Sequence, residues 1–544
     1  MSGNPYDHRG GLSVWSVLGT VMRGVRLWQA SKSWVRADAQ EKRIVDSQRK
    51  VEEAHAFLTN PTPSGLLGDG RLGTLEDARA ARLLDRTGYY LGAMEGVPLF
   101  YAGGAHLLTY ARTGSGKGRD VILPNLAHIT HESLWVVDVK DGENAYASAV
   151  HRSARLGLPV VLINPWNLLK AGTTRINPLA RLVELAARGE RVEVAAKEIA
   201  FILVPSPKKA ADNAWVSQGA QRLLALRMTF LAYERPAECR LSSLWRFVNQ
   251  GQAELLADLG EMMLSERVSI RGQAGAFFSL VTEAPKQWEA YRSEVQTAVD
   301  AYEPGSELET STAADEFDLG RLKREPCTVY LMVPSEKLGV VAQWISLITN
   351  HAVETIAART GEVRTLFLLD EVAQLPAMPG LIKALRLYRG RGIALWLFCQ
   401  GRFSLQERFA PEIVKEIEDQ VDVLQMFSPE EPSLLKDIET WSGKRTVAVR
   451  GVNQSGGQVE GLSMGISEQA RPVLQAEDTR ALGAGLQLLK LPGHPLFVVE
   501  RIPFFSIDPW AEQLADVRHV ASGNVTLEPW GDNSRQSHVS VTNT

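Results

Sequence analysis

A lysine in a glycine-rich loop is the first group in this sequence that could do chemistry. Residues 111 to 118 read Ala-Arg-Thr-Gly-Ser-Gly-Lys-Gly and follow the apolar run His-Leu-Leu-Thr-Tyr. When a strand, such a loop and a helix follow one another, backbone N–H groups and the helix N-terminus face a polyphosphate, and the lysine reaches its outer phosphates. The alternative is an ordinary glycine-rich turn with an incidental lysine. The residues predicted to bind a nucleotide are Arg112, Thr113, Gly114, Ser115, Gly116, Lys117 and Gly118.

Two positions of this loop depart from the general form G-x-x-x-x-G-K followed by Ser or Thr. Ala111 replaces the first glycine, and Gly118 stands where a hydroxyl normally binds Mg²⁺. Because Mg²⁺ requires near-octahedral geometry, water or another carboxylate must supply the missing oxygen. A carboxylate of the block Asp138-Val-Lys140-Asp-Gly-Glu143 is a candidate, for which an ion-paired turn after a strand is the alternative.

Two adjacent carboxylates follow another apolar run. Residues 365 to 369 read Thr-Leu-Phe-Leu-Leu and precede Asp370 and Glu371. Hydrolysis of a bound nucleotide requires one carboxylate near the metal and another near the attacking water, both at the carboxyl edge of the sheet. We therefore predict that Asp370 holds Mg²⁺, and that Glu371 polarises the water and is catalytic together with Lys117.

A glutamine ends the next apolar run, Ile393 to Cys399. The amide of Gln400 could hydrogen-bond a γ-phosphate or the attacking water and report hydrolysis to neighbouring elements. Gln400 is therefore the third predicted catalytic residue. A glutamine that satisfies backbone groups of a loop is the alternative.

Three arginines, Arg386, Arg389 and Arg391, lie between these two runs. They could reach a nucleotide held by the next subunit of a ring and stabilise charge in the transition state. They could also line a channel for a phosphate backbone, or form a solvated helix face. The sequence leaves all three interpretations open.

Short apolar runs alternate with turns and helical stretches from about residue 66 onward, which is typical of a mainly parallel sheet flanked by helices. The runs are apolar throughout, so both faces of the sheet should be buried. The predicted fold class is therefore α/β. The predicted strands are His106 to Tyr110, Leu134 to Asp138, Pro159 to Ile163, Thr328 to Val333, Thr365 to Asp370, Ala394 to Gln400, Val421 to Phe427 and Leu496 to Glu500.

Residues 205–312 lack such runs and have helical spacing, which predicts an all-α domain inserted between two parts of a nucleotide-binding domain, 63–204 and 313–510. Within the second part, TVAVR and LSMGIS predict a hairpin whose tip is the Gly- and Ser-rich stretch Gly451 to Gly461. A basic, aromatic and polar helical segment is predicted for residues 1–62, and the polar tail 511–544 is predicted to be disordered at its end.

The composition of the 544 residues is that of a globular protein with several cores. Lys and Arg number 59 and Asp and Glu 63, a net charge of −4, so a polyanionic partner would have to meet a local basic patch. The three cysteines, Cys239, Cys327 and Cys399, are widely spaced and indicate neither a disulfide framework nor a zinc site, which fits a reducing compartment.

No apolar run reaches the ~18 residues that a membrane-spanning helix requires. Residues 9–36 instead combine five basic side chains and no acidic one with interleaved tryptophans and aliphatic residues. Such a segment is typical of contact with a membrane surface. A helix packed on its own domain or on a neighbouring subunit is the alternative.

Taken together, these residues resemble a known family, the coupling ATPases of type IV secretion and conjugative DNA transfer. The loop Thr113 to Gly118, with glycine after the lysine, is similar to that family's usual form. The resemblance therefore implies that the missing hydroxyl is a family trait and not a sign of inactivation. The similarity extends from about residue 65 to residue 505. Further matching segments are Gly73 to Asp77 with Leu91-Gly92, Val137 to Asn144, Ile163 to Pro165, Ile176 to Leu179, Trp215 to Leu231, Phe317 to Pro334 and Glu468 to Leu474.

The resemblance implies a RecA-like P-loop NTPase that uses ATP and Mg²⁺, hydrolyses ATP and assembles as a homo-oligomer, expected to be a hexamer. It implies that the protein recruits a DNA–protein complex in conjugation, or effector proteins, and delivers them to a type IV secretion channel. The implied partners are the channel ATPases, inner-membrane components, and a relaxase bound to single-stranded DNA or effector proteins.

Members of this family usually begin with membrane-spanning helices, which the sequence lacks. We therefore expect a cytoplasmic protein that reaches the inner face of the membrane through a membrane partner or through residues 9–36. Two other functions are alternatives: a nucleotide-gated cargo adaptor with little hydrolysis, and a double-stranded DNA translocase of the segregation type, which shares the same core. Glu371 argues against the adaptor, because a binding-only switch needs no second carboxylate.

Overall fold

The computed structural model describes residue 49 and residues 63–206, 214–376, 378–454 and 462–516. These residues form two compact units, one from residues before 70 together with 444–471, and one from residues 70–443 and 472 onward. The predicted membrane-contact segment 9–36, most of the predicted hairpin tip and the tail from residue 517 lie outside the described residues.

Strands in the described residues form one large sheet and one hairpin. Their bounds are β1 Tyr89–Met94, β2 Val97–Tyr101, β3 His106–Ala111, β4 Ser133–Asp138, β5 Val160–Ile163, β6 Thr328–Met332, β7 Thr365–Leu369, β8 Ile393–Cys399, β9 Val421–Phe427, β10 Lys444–Gln454, β11 Leu462–Pro472, β12 Leu486–Lys490 and β13 Phe497–Glu500.

The large sheet has eleven strands within the described residues, in the spatial order β2-β1-β13-β12-β9-β3-β8-β7-β4-β6-β5. The seven strands from β9 to β5 are parallel, and the other four pair antiparallel. All eight predicted strands are present, and each of their ends lies within one residue of the prediction. The mainly parallel sheet is therefore confirmed.

The antiparallel strands β1, β2 and β12 were not predicted. β1 and β2 are joined by Glu95 and Gly96, whose φ angles of 53° and 76° are those of a two-residue hairpin turn. The sequence signal for this hairpin is weak because Glu-Gly replaces the usual Asn-Gly, and because Pro98 lies inside β2. A proline is tolerated there because β2 is an edge strand, where one missing N–H breaks no ladder on the open side.

Helices cover both faces of the sheet and form most of the region between β5 and β6. No helix in the described residues is both long and apolar enough to cross a membrane. Their bounds are α1 Leu75–Ala80, α2 Leu123–His128, α3 Glu143–Val150, α4 Ala180–Ala187, α5 Glu193–Leu203, α6 Ala214–Glu234, α7 Leu241–Asn249, α8 Gln252–Met262, α9 Val268–Glu283, α10 Pro285–Val299, α11 Glu307–Thr312, α12 Leu338–Ala357, α13 Pro379–Lys383, α14 Arg402–Gln406, α15 Pro411–Gln420, α16 Pro432–Trp441, α17 Ala476–Arg480 and α18 Trp510–Gln513.

Successive side chains of the parallel strands enter two different apolar clusters, one on each face of the sheet. In β3, Leu108 and Tyr110 belong to the first cluster, and Leu107 and Ala111 to the second. The first cluster continues into the helices α6 to α11, and the second lies under α2 and α3. Burial on both faces explains why the strands read as continuous apolar runs. The described part of 205–312 is helical, and its boundaries as a separate domain stay a prediction.

The smaller unit contains the hairpin of β10 and β11, which is longer than the two predicted pieces. Residues 67–69 pair with the first residues of β10. The N–H of Leu67 donates to Oγ1 of Thr446 at 3.0 Å, and the N–H of Thr446 donates to the carbonyl of Gly68 at 2.8 Å.

A row of buried hydrogen bonds crosses the large sheet. Nε1 of Trp396 donates to Oγ1 of Thr109 at 2.8 Å, and that hydroxyl donates to Oε1 of Gln425 at 2.7 Å. Nε2 of Gln425 donates to Oε1 of Gln487 at 3.1 Å, and Nε2 of Gln487 donates to the carbonyl of Leu91 at 2.5 Å. Because buried polar groups must be paired, this row favours the order β8-β3-β9-β12 and their register.

We predict that Gln425→Leu lowers the free energy of unfolding by about 1–3 kcal/mol for each partner left unpaired, here Thr109 and Gln487. Urea denaturation followed by tryptophan fluorescence measures this loss. Gln420→Leu, at an exposed position, is the matched control and should change stability by no more than about 0.5 kcal/mol. Equal losses in both variants would contradict the role assigned to the row.

Candidate functional site

The glycine-rich loop joins β3 to a helix, as its sequence predicts. Gly114 and Gly116 have φ angles of 75° and 93°, in the left-handed region that favours glycine. A Cβ on Gly116 would also lie 2.8 Å from Oδ2 of Asp120. Residues Gly118–Ile122 form a π-helical turn that runs directly into α2. Pro124 is therefore accommodated at the second position of α2 and does not stop the helix there.

Lys117, Asp370 and Glu371 meet in space although they lie some 250 residues apart in the chain. Nζ of Lys117 is 2.6 Å from Oδ1 of Asp370 and donates a hydrogen bond to Oε1 of Glu371. All three side chains are almost entirely buried, with Lys117 only 3% exposed. The strands β3 and β7, which end next to these residues, are separated by β8 alone.

The electrostatics of this cluster favour the charged lysine. Burial by itself would lower the pKa of Lys117, but the two neighbouring carboxylates outweigh burial and raise it above its usual value. Glu371 has a left-handed backbone, with φ of 53°, which costs a non-glycine residue about 1–2 kcal/mol. Its Oε2 is buried and makes no hydrogen bond to any of the described residues. The carboxylate thus keeps one oxygen available for a ligand.

The remaining predicted loop residues lie around the lysine in different environments. Arg112 is exposed, and its Nη1 is 2.5 Å from Oε1 of Glu430. Thr113 is exposed as well. The hydroxyl of Ser115 is buried without a hydrogen bond to the described residues. A Cβ on Gly118 would face open space, with nothing within 4 Å.

Gln400 directly follows β8, the strand between β3 and β7, and its side chain is exposed. The parallel pairs Tyr110 with Cys399 and Leu369 with Leu397 bring Gln400 to the same edge as Lys117 and Asp370. This position suits the predicted sensing role and excludes burial against loop backbone.

The three arginines lie at the other edge of the sheet. Arg389 and Arg391 precede β8, and a seven-residue strand separates the two edges by about 23 Å. Nε of Arg386 is 2.6 Å from Oε1 of Glu416, and Nη2 of Arg389 is 3.7 Å from Oδ2 of Asp422. Within one chain they do not reach the nucleotide loop. Their action on a neighbouring subunit stays a prediction.

Asp138 anchors the start of α3. Its side chain is fully buried, its Oδ1 accepts a hydrogen bond from Nδ2 of Asn144 at 3.2 Å, and its Oδ2 accepts one from the N–H of Ala145 at 2.9 Å. The pKa of Asp138 is raised to about 7, mainly by burial. The hydrogen bond from Ala145 lowers this pKa, whereas the charges of Glu143 and Asp370 raise it further. Since both oxygens are engaged, Asp138 is a poor substitute for the missing hydroxyl.

Arg501 contacts the loop and was not singled out from the sequence. Its Nη1 donates to the carbonyl of Ser115 at 2.6 Å, and its guanidinium lies 4.4 Å from the ring centroid of Phe427. Nη1 of Arg501 is also 3.8 Å from Oδ2 of Asp120, the buried acid that follows the loop. The only sequence signal was an arginine directly after an apolar strand, which by itself does not indicate contact with a loop distant in the chain.

The strand order, the loop after β3 and the acid pair after β7 define a RecA-like P-loop NTPase. Residues 71–526 match the family described as Type IV secretory system Conjugative DNA transfer. The chain therefore belongs to this family, which confirms the resemblance found in the sequence.

Two curated relatives are 22% identical to this chain. Protein VirD4 of Agrobacterium fabrum strain C58 matches over 409 residues, which are 74% of this chain and 59% of that protein. Conjugal transfer protein TraG of Escherichia coli matches over 457 residues, which are 76% of this chain and 71% of that protein. The chain thus spans about three-fifths of the length of VirD4.

Solved structures of the bacterial conjugative coupling protein TrwB have the same fold. The unbound form has a TM-score of 0.58 and 16% identity, and covers 80% of this chain and 92% of that one. The complex with the ATP analogue ADPNP has a TM-score of 0.58 and 15% identity, with coverages of 80% and 93%. The predicted RecA-like fold is confirmed.

We predict that the stability of the fold depends on pH through the titration of Asp138. Because its pKa is raised from 3.8 to about 7, the folded chain keeps a proton that the unfolded chain releases, and stability falls as pH rises through this range. Asp138→Asn removes this titration. The melting temperature of the variant relative to wild type should therefore rise between pH 5 and pH 8, on the order of 2 °C in calorimetry. Asp419→Asn, at an exposed site, should show no such trend, and a pH-independent difference for Asp138→Asn would refute the prediction.

Proposed function

We propose that this protein binds ATP with Mg²⁺, hydrolyses it, and uses the energy to recruit a DNA–protein complex or effector proteins and deliver them to a type IV secretion channel. The observation that carries the proposal is the buried cluster of Lys117, Asp370 and Glu371 beside a glycine-rich loop. A binding-only loop would not need the second carboxylate, that of Glu371, whose backbone is held in the left-handed region.

The residues present fit a nucleotide with a magnesium ion. Carboxylate oxygens are the ligands that Mg²⁺ prefers, and the ion usually binds through one or two of them together with substrate phosphates. When bound, Mg²⁺ offsets the charge that develops on the transferred phosphoryl group. In the proposed mechanism Asp370 holds the ion, and the unpartnered Oε2 of Glu371 accepts a hydrogen bond from the attacking water.

Lys117 has two competing sets of partners in this mechanism. In the structure its ammonium group is ion-paired with both Asp370 and Glu371. The phosphates of a bound nucleotide compete for the same ammonium group, which leaves the two carboxylates to the ion and the water. The backbone N–H groups of residues 113–116 bind the phosphates, and Gln400 senses the γ-phosphate from the end of β8.

Related proteins support the cofactors and the cargo. TrwB has been solved in complex with ADPNP and with ADP and Mg²⁺, and TraG is a conjugal transfer protein. We extend these properties to this chain, including assembly as a homo-oligomeric ring, expected to be a hexamer. In such a ring the exposed Arg386, Arg389 and Arg391 are candidates for contact with the nucleotide of the next subunit. The proposed partners are channel ATPases, inner-membrane components and a relaxase on single-stranded DNA.

We predict that Lys117→Ala abolishes nucleotide binding and hydrolysis, because the phosphates lose their main counter-charge. Glu371→Gln should keep nucleotide binding but lower the rate of phosphate release by about 10²–10⁴-fold, the usual contribution of general-base catalysis. Fluorescent-nucleotide titration and a phosphate-release assay measure the two effects. Glu412→Gln, at an exposed position, is the control and should leave both unchanged.

The same assays, run with single-stranded and with double-stranded DNA, discriminate between the candidate functions. The coupling function predicts phosphate release from the wild-type protein that single-stranded DNA stimulates. Nucleotide binding without phosphate release under any condition would indicate the adaptor. Stimulation by double-stranded DNA alone would indicate a translocase of the segregation type.

A further inference from the structure

A cavity of about 600 Å³ adjoins the glycine-rich loop within the larger unit. Gly118 and Asp370 line it from the nucleotide site, and Lys140 and Glu143 line it from the segment that begins α3. The cavity therefore lies where the residue after the loop lysine normally presents a hydroxyl to Mg²⁺. Three carboxylates border this region, those of Glu143, Asp370 and Asp516.

Steric space does not explain the glycine at position 118. A Cβ built on Gly118 meets no atom within 4 Å, so a serine side chain fits there without displacing a neighbour. The φ angle of Gly118 also does not require glycine, because the residue begins a helical turn. A different residue can thus supply the oxygen that position 118 lacks.

Of these three carboxylates, Asp370 is paired with Lys117 and Asp516 has an interaction of its own, which leaves Glu143 without another task. Within the residues that the structure describes, its side chain forms no hydrogen bond or ion pair, in contrast to Asp138, both of whose oxygens are engaged. Burial raises the pKa of Glu143, Lys140 opposes this, and the charges of Asp141 and Asp370 raise it further. A cation between Glu143 and Asp370 would relieve their mutual repulsion.

We propose that Glu143, together with Asp370, holds the magnesium ion of the bound nucleotide and replaces the hydroxyl missing at Gly118. This inference rests on the proposed ATP-binding function and adds a residue to its metal site. The described residues contain no group of three or more His, Cys, Asp or Glu side chains arranged to hold a metal. The ion is therefore expected to bind with the nucleotide, whose phosphates complete its ligands.

The test measures metal affinity and not turnover. Mn²⁺, a paramagnetic substitute for Mg²⁺, is titrated into the full-length chain loaded with ADP, and free Mn²⁺ is quantified by electron paramagnetic resonance. Glu143→Gln should weaken Mn²⁺ binding about tenfold or more, the usual effect of losing such a group. Its affinity for ADP without metal should stay within about twofold of wild type. Glu336→Gln, at an exposed position, should leave Mn²⁺ binding unchanged.

A second variant tests the position of the oxygen. Adding Gly118→Ser to Glu143→Gln should restore most of the lost Mn²⁺ affinity, because the hydroxyl enters the same cavity. Wild-type Mn²⁺ affinity in Glu143→Gln, loss of its metal-free ADP binding, or failure of Gly118→Ser to restore affinity would each overturn the proposal. If the wild-type protein binds ADP and Mn²⁺ but releases no phosphate, the proposed motor function fails while the role of Glu143 stands.

Discussion

The structure of the site depends on one buried charge cluster, the ammonium of Lys117 between the carboxylates of Asp370 and Glu371. Buried charges are tolerated only when they are paired, because removing an ion from water costs several kcal/mol. The single lysine faces two acids, so the cluster carries an excess negative charge. In the proposed function that excess would favour a divalent cation and the lysine would favour the phosphates of a nucleotide.

The strand order converts this cluster into a site. Placing β8 between β3 and β7 sets the lysine loop and the acid pair on either side of Gln400 at one edge of the sheet. Because parallel strands all end at that edge, the segments that follow β3, β8 and β7 lie side by side there. The arginines before β8 lie at the opposite edge, where Arg386 and Arg389 pair with Glu416 and Asp422 of the same chain.

Support for the loop comes from strands outside the parallel core. Arg501, which follows the antiparallel strand β13, hydrogen-bonds the carbonyl of Ser115 in the loop and stacks on Phe427 of β9. The buried row through Gln425 and Gln487 links β12 to β3 across β9 and continues to the carbonyl of Leu91 in β1. The antiparallel strands thus do more than extend the sheet, since the residue after β13 contacts the glycine-rich loop and β12 is joined to the strand that precedes this loop.

The sequence by itself determined the features that are written in neighbouring residues: eight apolar strands, the lysine loop, and the acids at 370 and 371. These signals are local, because a strand buried on both faces must be apolar along its whole length and a phosphate loop needs glycines at fixed spacing. Only the tertiary structure decided which distant side chains meet. The apolar run of β2 contains Pro98, which argues against a strand until its edge position is known, and the surroundings of Arg501, Asp138 and Glu143 depend on strand order and on burial. Neither is encoded in the spacing of adjacent residues, because contacts across a sheet join residues hundreds of positions apart.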